Sequence, residues 1–265
     1  MATITSIASG YWNDPTIWDS GTVPADGDSV TIASEHTVIF NVDQSEFANG
    51  LAGLTINGTL KIPSQAEDPS MPDFVCLKVN ANIAGSGSLL IGSSSQPIDY
   101  PQTVLILING TVTTATVQVY GAERNPFYDF PSNPIPANAI TFQLQNGLPL
   151  RAGDVIAIGR GDYKGDPFGA PPPSDLYFTV QSYDPTTKEV TVSPAIVNAR
   201  PTNSIIGLVS RPVKFERYGS TNASLMTGSG RVLRGCWFDE QFKTTVAVSV
   251  SSSSAKNVVA TNGRK

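Results

Sequence analysis

Hydrophobic and polar positions alternate with a period of two along most of this chain, or gather in short apolar runs cut by Gly, Asn, Pro or Ser. Helical spacing of apolar residues is nearly absent. The pattern predicts strands over Ser29–Ala33, Thr37–Asn41, Leu54–Asn57, Thr59–Ile62, Val75–Ala84, Ser88–Gly92, Thr103–Asn109 and Thr111–Tyr120. It continues with Ala139–Gln145, Asp154–Gly159, Leu176–Tyr183, Glu189–Ser193, Ile205–Ser210, Val213–Tyr218, Gly230–Asp239 and Thr245–Ser251. One helical turn is expected at Asp14–Trp18, where Asp14 can cap free amides and Pro15 suits the first helical position. The fold class is all-β.

How the strands assemble is open at this level. Leu54-Thr-Ile-Asn57-Gly58-Thr59-Leu60 and Leu105-Ile-Leu-Ile-Asn109-Gly110-Thr111-Val112 echo each other. Asn-Gly between apolar runs reads as a hairpin turn, because both residues tolerate positive φ. The competing reading is a parallel β-helix, in which short strands meet at tight corners and stacked turns bury columns of Val, Ile and Leu. A β-sandwich is the remaining alternative. From Asn146 to Ile196 the strands lengthen and follow one another in hairpin order, which predicts a small antiparallel, barrel-like insertion. Its loop Gly165–Asp175 is too rich in proline to pair in a sheet and is expected to project as a partly polyproline segment.

Composition narrows the chemistry. The chain has 265 residues, 15% of them charged, with 23 Gly, 20 Pro, 2 Cys and 1 His. That length builds one large β domain or two small ones. A single histidine, His36, excludes sites that need two, and is read as structural at a strand start; two cysteines exclude dense disulfide frameworks and four-cysteine metal sites. A net charge of −5 offers no phosphate-attracting field, and no apolar run is long enough to span a membrane, so neither nucleic acid nor membrane insertion is expected. Ser, Thr, Asn and Gly dominate the polar positions, a profile of exterior proteins. Met1-Ala2-Thr3-Ile4 nevertheless opens straight into strand alternation without an export signal. A virion protein released by lysis, a protein exported another way, or a fragment expressed without its leader each fit this.

The sharpest signature is Gly10-Tyr11-Trp12-Asn13-Asp14-Pro15-Thr16-Ile17-Trp18, then Gly21-Thr22-Val23-Pro24-Ala25-Asp26-Gly27-Asp28-Ser29-Val30-Thr31-Ile32, then His36-Thr37-Val38 and Leu54–Leu60. This block resembles the G-eight (G8) domain, a β-strand module of cell-surface hyaluronan-processing proteins and of bacterial and phage structural proteins. The resemblance covers residues 8–125, roughly, and implies a right-handed parallel β-helix, which tips the choice of architecture. A β-helix needs a closed end, since an open turn exposes apolar core and unpaired backbone. Trp12, Trp18, Pro24 and Asp28 are the expected cap, with a sugar-stacking role for the tryptophans as the alternative.

Other candidates weigh less. The carboxylate pairs Asp26/Asp28, Glu67/Asp68, Asp162/Asp166 and Asp239/Glu240 could serve glycan cleavage. Gly27-Asp28 and Gly153-Asp154 sit where a turn enters a strand, so their carboxylates are expected on local backbone. Asp162-Tyr-Lys-Gly-Asp166 lacks the spacing of a calcium loop, and Arg160-Gly161-Asp162 is a chance-level adhesion tripeptide. The sequons at Asn57, Asn109 and Asn222 are expected of an Asn/Thr-rich chain. Cys76 and Cys236 are read as buried thiols too many turns apart to bridge.

These readings give a capped β-helix module over 1–125, an antiparallel insertion over 126–200 and further turns or an oligomerisation segment over 201–265. The last turn, without an aromatic plug, is expected to be covered by another subunit or continued in a longer chain. The expected function is a non-enzymatic structural or adhesion component of a phage virion (tail, fibre or capsid surface), assembling with copies of itself and other virion proteins. The alternative is a secreted or cell-surface glycan-binding or polysaccharide-cleaving module. Candidate contact residues are Phe127, Tyr128, Phe130, Phe168 and Trp237; no cofactor, metal or catalytic residue is assigned.

Overall fold

The computed structural model describes residues 1–159, 176–218, 225–240, 248–251, 253–256 and 258–262. The chain divides into two compact units, Met1–Glu123 with Arg211–Gly263, and Arg124–Ser210. Phe168, the loop Gly165–Asp175, Asp162/Asp166, the Arg160-Gly161-Asp162 tripeptide and the Asn222 sequon lie outside the described residues.

The first unit is built from parallel sheets that the chain visits in rotation. One carries Thr3–Thr5, Ser29–Ile32, Gly53–Ile56 and Ile83–Ala84 in that order; a second carries Gly10–Tyr11, Thr37–Ile39, Thr59–Ile62, Ser88–Ile91, Thr116–Tyr120, Val232–Arg234 and Ser254–Lys256. A third carries Phe74–Val79, Thr103–Ile108, Val213–Arg217, Cys236–Glu240 and Val259–Asn262. The Asn-Gly segments are therefore corners between sheets and not hairpins. Gly53–Ile56 pairs with Ser29–Ile32 and Ile83–Ala84, while Thr59–Ile62 pairs with Thr37–Ile39 and Ser88–Ile91, every pair parallel.

Register turns the period-two pattern into buried columns. Ile4, Val30, Leu54, Ile83, Val112 and Met226 face one another in succession, each at most 2% exposed. Leu77, Ile106, Phe215 and Phe238 form a parallel column in the third sheet, ending in a stacked Phe215–Phe238 pair with ring centroids 4.9 Å apart. Each such aliphatic side chain contributes about 1.5–3 kcal/mol by leaving water.

Corners need residues that take little room. At Gly85, φ is +123° and an added Cβ would lie 2.1 Å from the Ile56 carbonyl oxygen of the preceding circuit, so no other residue fits. Corners also split two runs that read as single strands: Val75–Ala84 becomes Phe74–Val79 and Ile83–Ala84, and Gly230–Asp239 breaks at Gly235, whose φ is +52°. Toward the C-terminal circuits the interior includes charge. Arg231 is 3% exposed and donates to the carbonyls of Thr114, Ala115 and Thr227, occupying the space that a Cβ on Gly228 would need.

The second unit is a six-stranded antiparallel sheet in the order Tyr128–Asp129, Ile206–Leu208, Val155–Ile158, Tyr177–Asp184, Glu189–Ile196, Ala139–Gln143. Its two ends are joined by an antiparallel bridge between Pro131 and Leu144 and by Gln145 N–H donating to the Phe130 carbonyl at 2.8 Å. It has its own apolar core, which includes Ile156, Ile158, Phe178, Val180, Val190 and Ile206. A buried ion pair sits beside that core: Arg124 meets both oxygens of Asp154 at 2.6 and 2.8 Å, with the side chains 5% and 3% exposed. Asp154 also accepts from the Arg151 N–H at 2.7 Å, the local turn bond expected of Gly-Asp, while its pairing with Arg124 had no signal in the sequence.

Candidate functional site

The antiparallel unit carries an exposed aromatic rim. Phe127 and Tyr128 are each 49% exposed and meet edge to face at 5.4 Å; Tyr128 meets the half-buried Phe130 at 6.1 Å and 88°. Strand alternation explains the arrangement, since Tyr128 points outward while Asp129, 2% exposed, points in. Pro126, Tyr128, Asp129, Phe130 and Asn146 line a shallow cleft of about 260 Å³. Asp129 anchors its floor by accepting from Asn146 N–H at 2.8 Å, Gly147 N–H at 2.7 Å and Asn146 Nδ2 at 3.1 Å. The surface thus combines a π-face platform with one exposed side-chain amide, a combination suited to stacking and orienting a sugar ring.

Trp237 lies elsewhere, on the outward face of the third sheet, beside Lys214, Glu216 and Asp239. Register places Lys214 opposite Trp237 and Glu216 opposite Asp239. The Lys214 ammonium lies 4.0 Å from the Trp237 ring centroid, 2.7 Å from Glu216 Oε2 and 3.0 Å from Asp239 Oδ2. One face of the indole is thereby taken by a cation and is not open to a sugar ring. The partner of Asp239 across the sheet is Glu216, a pairing that depends on register between strands and so left no trace in the sequence.

At the N-terminal end, Trp12 and Trp18 are 0% and 1% exposed and meet edge to face at 5.0 Å, and Trp12 meets Phe40 the same way at 4.9 Å. The turn Pro15–Ile17 precedes Trp18, with Asp14 accepting from the Thr16 N–H as the cap. Trp18 Nε1 donates to the Trp12 carbonyl at 3.0 Å, whereas Trp12 Nε1 is buried without an acceptor. Pro24 is buried. Asp28 ties this end together by accepting from Ala2 N–H at 2.7 Å and Ala25 N–H at 3.1 Å, and the Ala2 bond holds its carboxyl below the ordinary aspartate value. His36 Nδ1 shares a hydrogen bond with the Ser6 hydroxyl at 2.9 Å.

Cys76 and Cys236 are buried free thiols. Their strands are separated by two others in the third sheet, about 14 Å at the usual strand spacing, beyond disulfide reach. Burial pushes the Cys76 thiol up to about 12 and that of Cys236 higher still. Among the described residues, no cluster of three or more His, Cys, Asp or Glu is placed to hold a metal ion, and no helix is long and apolar enough to cross a membrane.

Residues 17–125 match the family model of the G8 domain, the family the tryptophan and glycine motif resembles. No curated protein matches the chain. Among solved structures it is similar to the tailspike of Pseudomonas phage phi297, at 11% identity and a TM-score of 0.28 over 76% of this chain and 39% of the other. It is also similar to the tailspike of Acinetobacter baumannii bacteriophage AP22, solved with A. baumannii capsular saccharide, at 11% identity and a TM-score of 0.27 over 77% and 41%. The chain spans about two-fifths of the length of either tailspike, and TM-scores this low speak neither for a shared fold nor for a shared ligand.

Proposed function

We propose that this chain is a non-enzymatic structural and adhesion component of a phage virion, holding glycan at its aromatic rim and assembling with copies of itself and other virion proteins. We read the first unit as a right-handed parallel β-helix closed at its first turn by Trp12, Trp18, Pro24 and Asp28, and the second as a barrel-like insertion. The rotation of the chain through its parallel sheets and the unbroken column from Ile4 to Met226 support the scaffold reading. The match to the G8 domain, a module of exterior proteins, and the Ser/Thr/Asn-rich polar surface support an outside location.

The observation that carries the adhesive part is the half-exposure of Phe127 and Tyr128 side by side next to a cleft with an amide at its edge. Isolated exposed aromatics are ordinary; an adjoining pair costs solubility and is retained where it touches something. A glycan array probed with the whole chain and with F127A/Y128A tests this. Binding lost in the variant, with unchanged melting, supports the reading; equal binding by both refutes it. Cleavage is the second reading, favoured by the facing carboxylates Glu216 and Asp239 beside Trp237. A reducing-end assay on the bound glycans decides it, since turnover abolished by D239N would overturn the non-enzymatic assignment.

A further inference from the structure

Asp129 fixes the orientation of Asn146. A carboxylate only accepts hydrogen bonds, so the amide edge 3.1 Å from Asp129 Oδ1 must be Nδ2, and Oδ1 of Asn146 must face the other way. The backbone N–H groups of Asn146 and Gly147 clamp the same carboxylate at 2.8 and 2.7 Å, which holds the turn and the amide together. Asn146 is exposed and lines the cleft beside Tyr128. It therefore presents one acceptor and one remaining N–H in a preset direction, next to an aromatic face.

We infer that Asn146 is the specificity-determining residue of this cleft and that its ligand is a neutral pyranose with adjacent hydroxyls; the inference rests on the glycan reading of the rim. A pyranose stacked by its C–H face on Tyr128 offers neighbouring hydroxyls at its edge, one to donate to Oδ1 and one to accept from the free N–H. Charge completes the selection. The described lining residues, Pro126, Tyr128, Asp129, Phe130 and Asn146, include a carboxylate and no cation. The Lys188 ammonium, from the turn between Tyr177–Asp184 and Glu189–Ile196, donates to the Gln145 carbonyl at 3.0 Å. A uronate or sialate carboxylate in this cleft is repelled by the Asp129 charge without a compensating cation among the described lining residues. Asp129 acts as a positioning residue, setting the amide from behind and excluding anions.

The test uses the whole chain in calorimetric titrations with neutral gluco-, galacto- and mannotrioses and with trigalacturonate. At least one neutral trisaccharide is expected to bind about ten-fold or more tightly than trigalacturonate, with the gap narrowing as salt rises. N146A is expected to weaken neutral binding by about ten-fold with unchanged melting, the loss of a hydrogen-bonding pair to ligand. D129N is expected to raise trigalacturonate affinity relative to neutral sugar, a change of ratio that mere loosening of the turn would not produce. Trigalacturonate binding as tightly as every neutral sugar, or N146A binding like wild type, overturns the inference while leaving a glycan-binding rim intact. Absence of binding to all four sugars overturns both.

Discussion

The Arg124–Asp154 pair gives a quantitative handle on the antiparallel unit. Both side chains are nearly inaccessible, and the guanidinium is bonded to both carboxylate oxygens. D154A leaves a buried cation without this counter-charge and strips the Arg151 N–H of its acceptor. Removing one partner of a buried ion pair costs about 3–5 kcal/mol, mostly the penalty of the charge left behind. In a unit of this size each kcal/mol moves the midpoint by about 4–8 °C, so the transition reporting on this unit should fall by more than about 10 °C. The assay is urea and thermal unfolding followed by circular dichroism for wild type, D154A, R124A and R124M/D154L. The double variant, with no charge to strand, should recover most of the loss. A D154A penalty under about 1 kcal/mol, or a double variant no better than D154A, would refute the reasoning.

Three further outcomes are expected. W12F should cost less than W18F, because it removes an indole N–H that has no acceptor, whereas W18F also breaks the bond to the Trp12 carbonyl; chemical denaturation of each variant checks the order. Neither cysteine should react with a thiol reagent at pH 8 in the native protein, and both should react in urea, since burial holds the thiolates back. Asp14, Asp28, Asp68 and Asp184 are held below the ordinary value of 3.8, chiefly by the Thr16 hydroxyl, the Ala2 N–H, the Ser70 hydroxyl and the Thr186 N–H in turn. Folded values below unfolded ones give stability that is complete above that pH and lost as pH falls through the lowered values. Acid titration should therefore be flat at neutral pH and steepen below about 4, with a shallower fall in D28N.

What the sequence made legible was local. Alternation located most strands, and Asp14-Pro15 located the helical turn Pro15–Ile17, because a cap and its turn lie within a few residues. Asn57-Gly58 marked a change of direction but not its kind. The hairpin signal is positive φ, which neither Asn57 nor Gly58 adopts. The corner needs Gly58 because an added Cβ would lie 2.3 Å from the Ala33 and His36 carbonyl oxygens. Thr59–Ile62 pairs with Thr37–Ile39 and Ser88–Ile91, strands of other circuits. Asn146-Gly147 carries the same dipeptide, and Asn146 stood out only as the start of the antiparallel segment. Its place in the cleft depends on Asp129, seventeen residues earlier and brought across by strand pairing. Lys214 with Asp239 and Arg124 with Asp154 share that character: each is fixed by register or packing between distant segments, which no window along the chain contains.

The antiparallel unit interrupts a circuit of the first unit. Thr103–Ile108 lies directly against Val213–Arg217, with Val104 N–H donating to the Pro212 carbonyl at 2.8 Å, and Pro212 lies close to Gly121. The chain thus departs and returns at neighbouring points after 87 residues, from Arg124 to Ser210. If that stretch were unfolded, closing it would cost roughly 2–3 kcal/mol more than closing a five-residue connection. A stretch with its own core folds locally and brings its ends together first, relieving most of that cost. Refolding should accordingly proceed from the insertion outward, with the C-terminal circuits docking last. An 87-residue detour is then no obstacle to completing the stack, and a short linker between Glu123 and Arg211 should complete it as well.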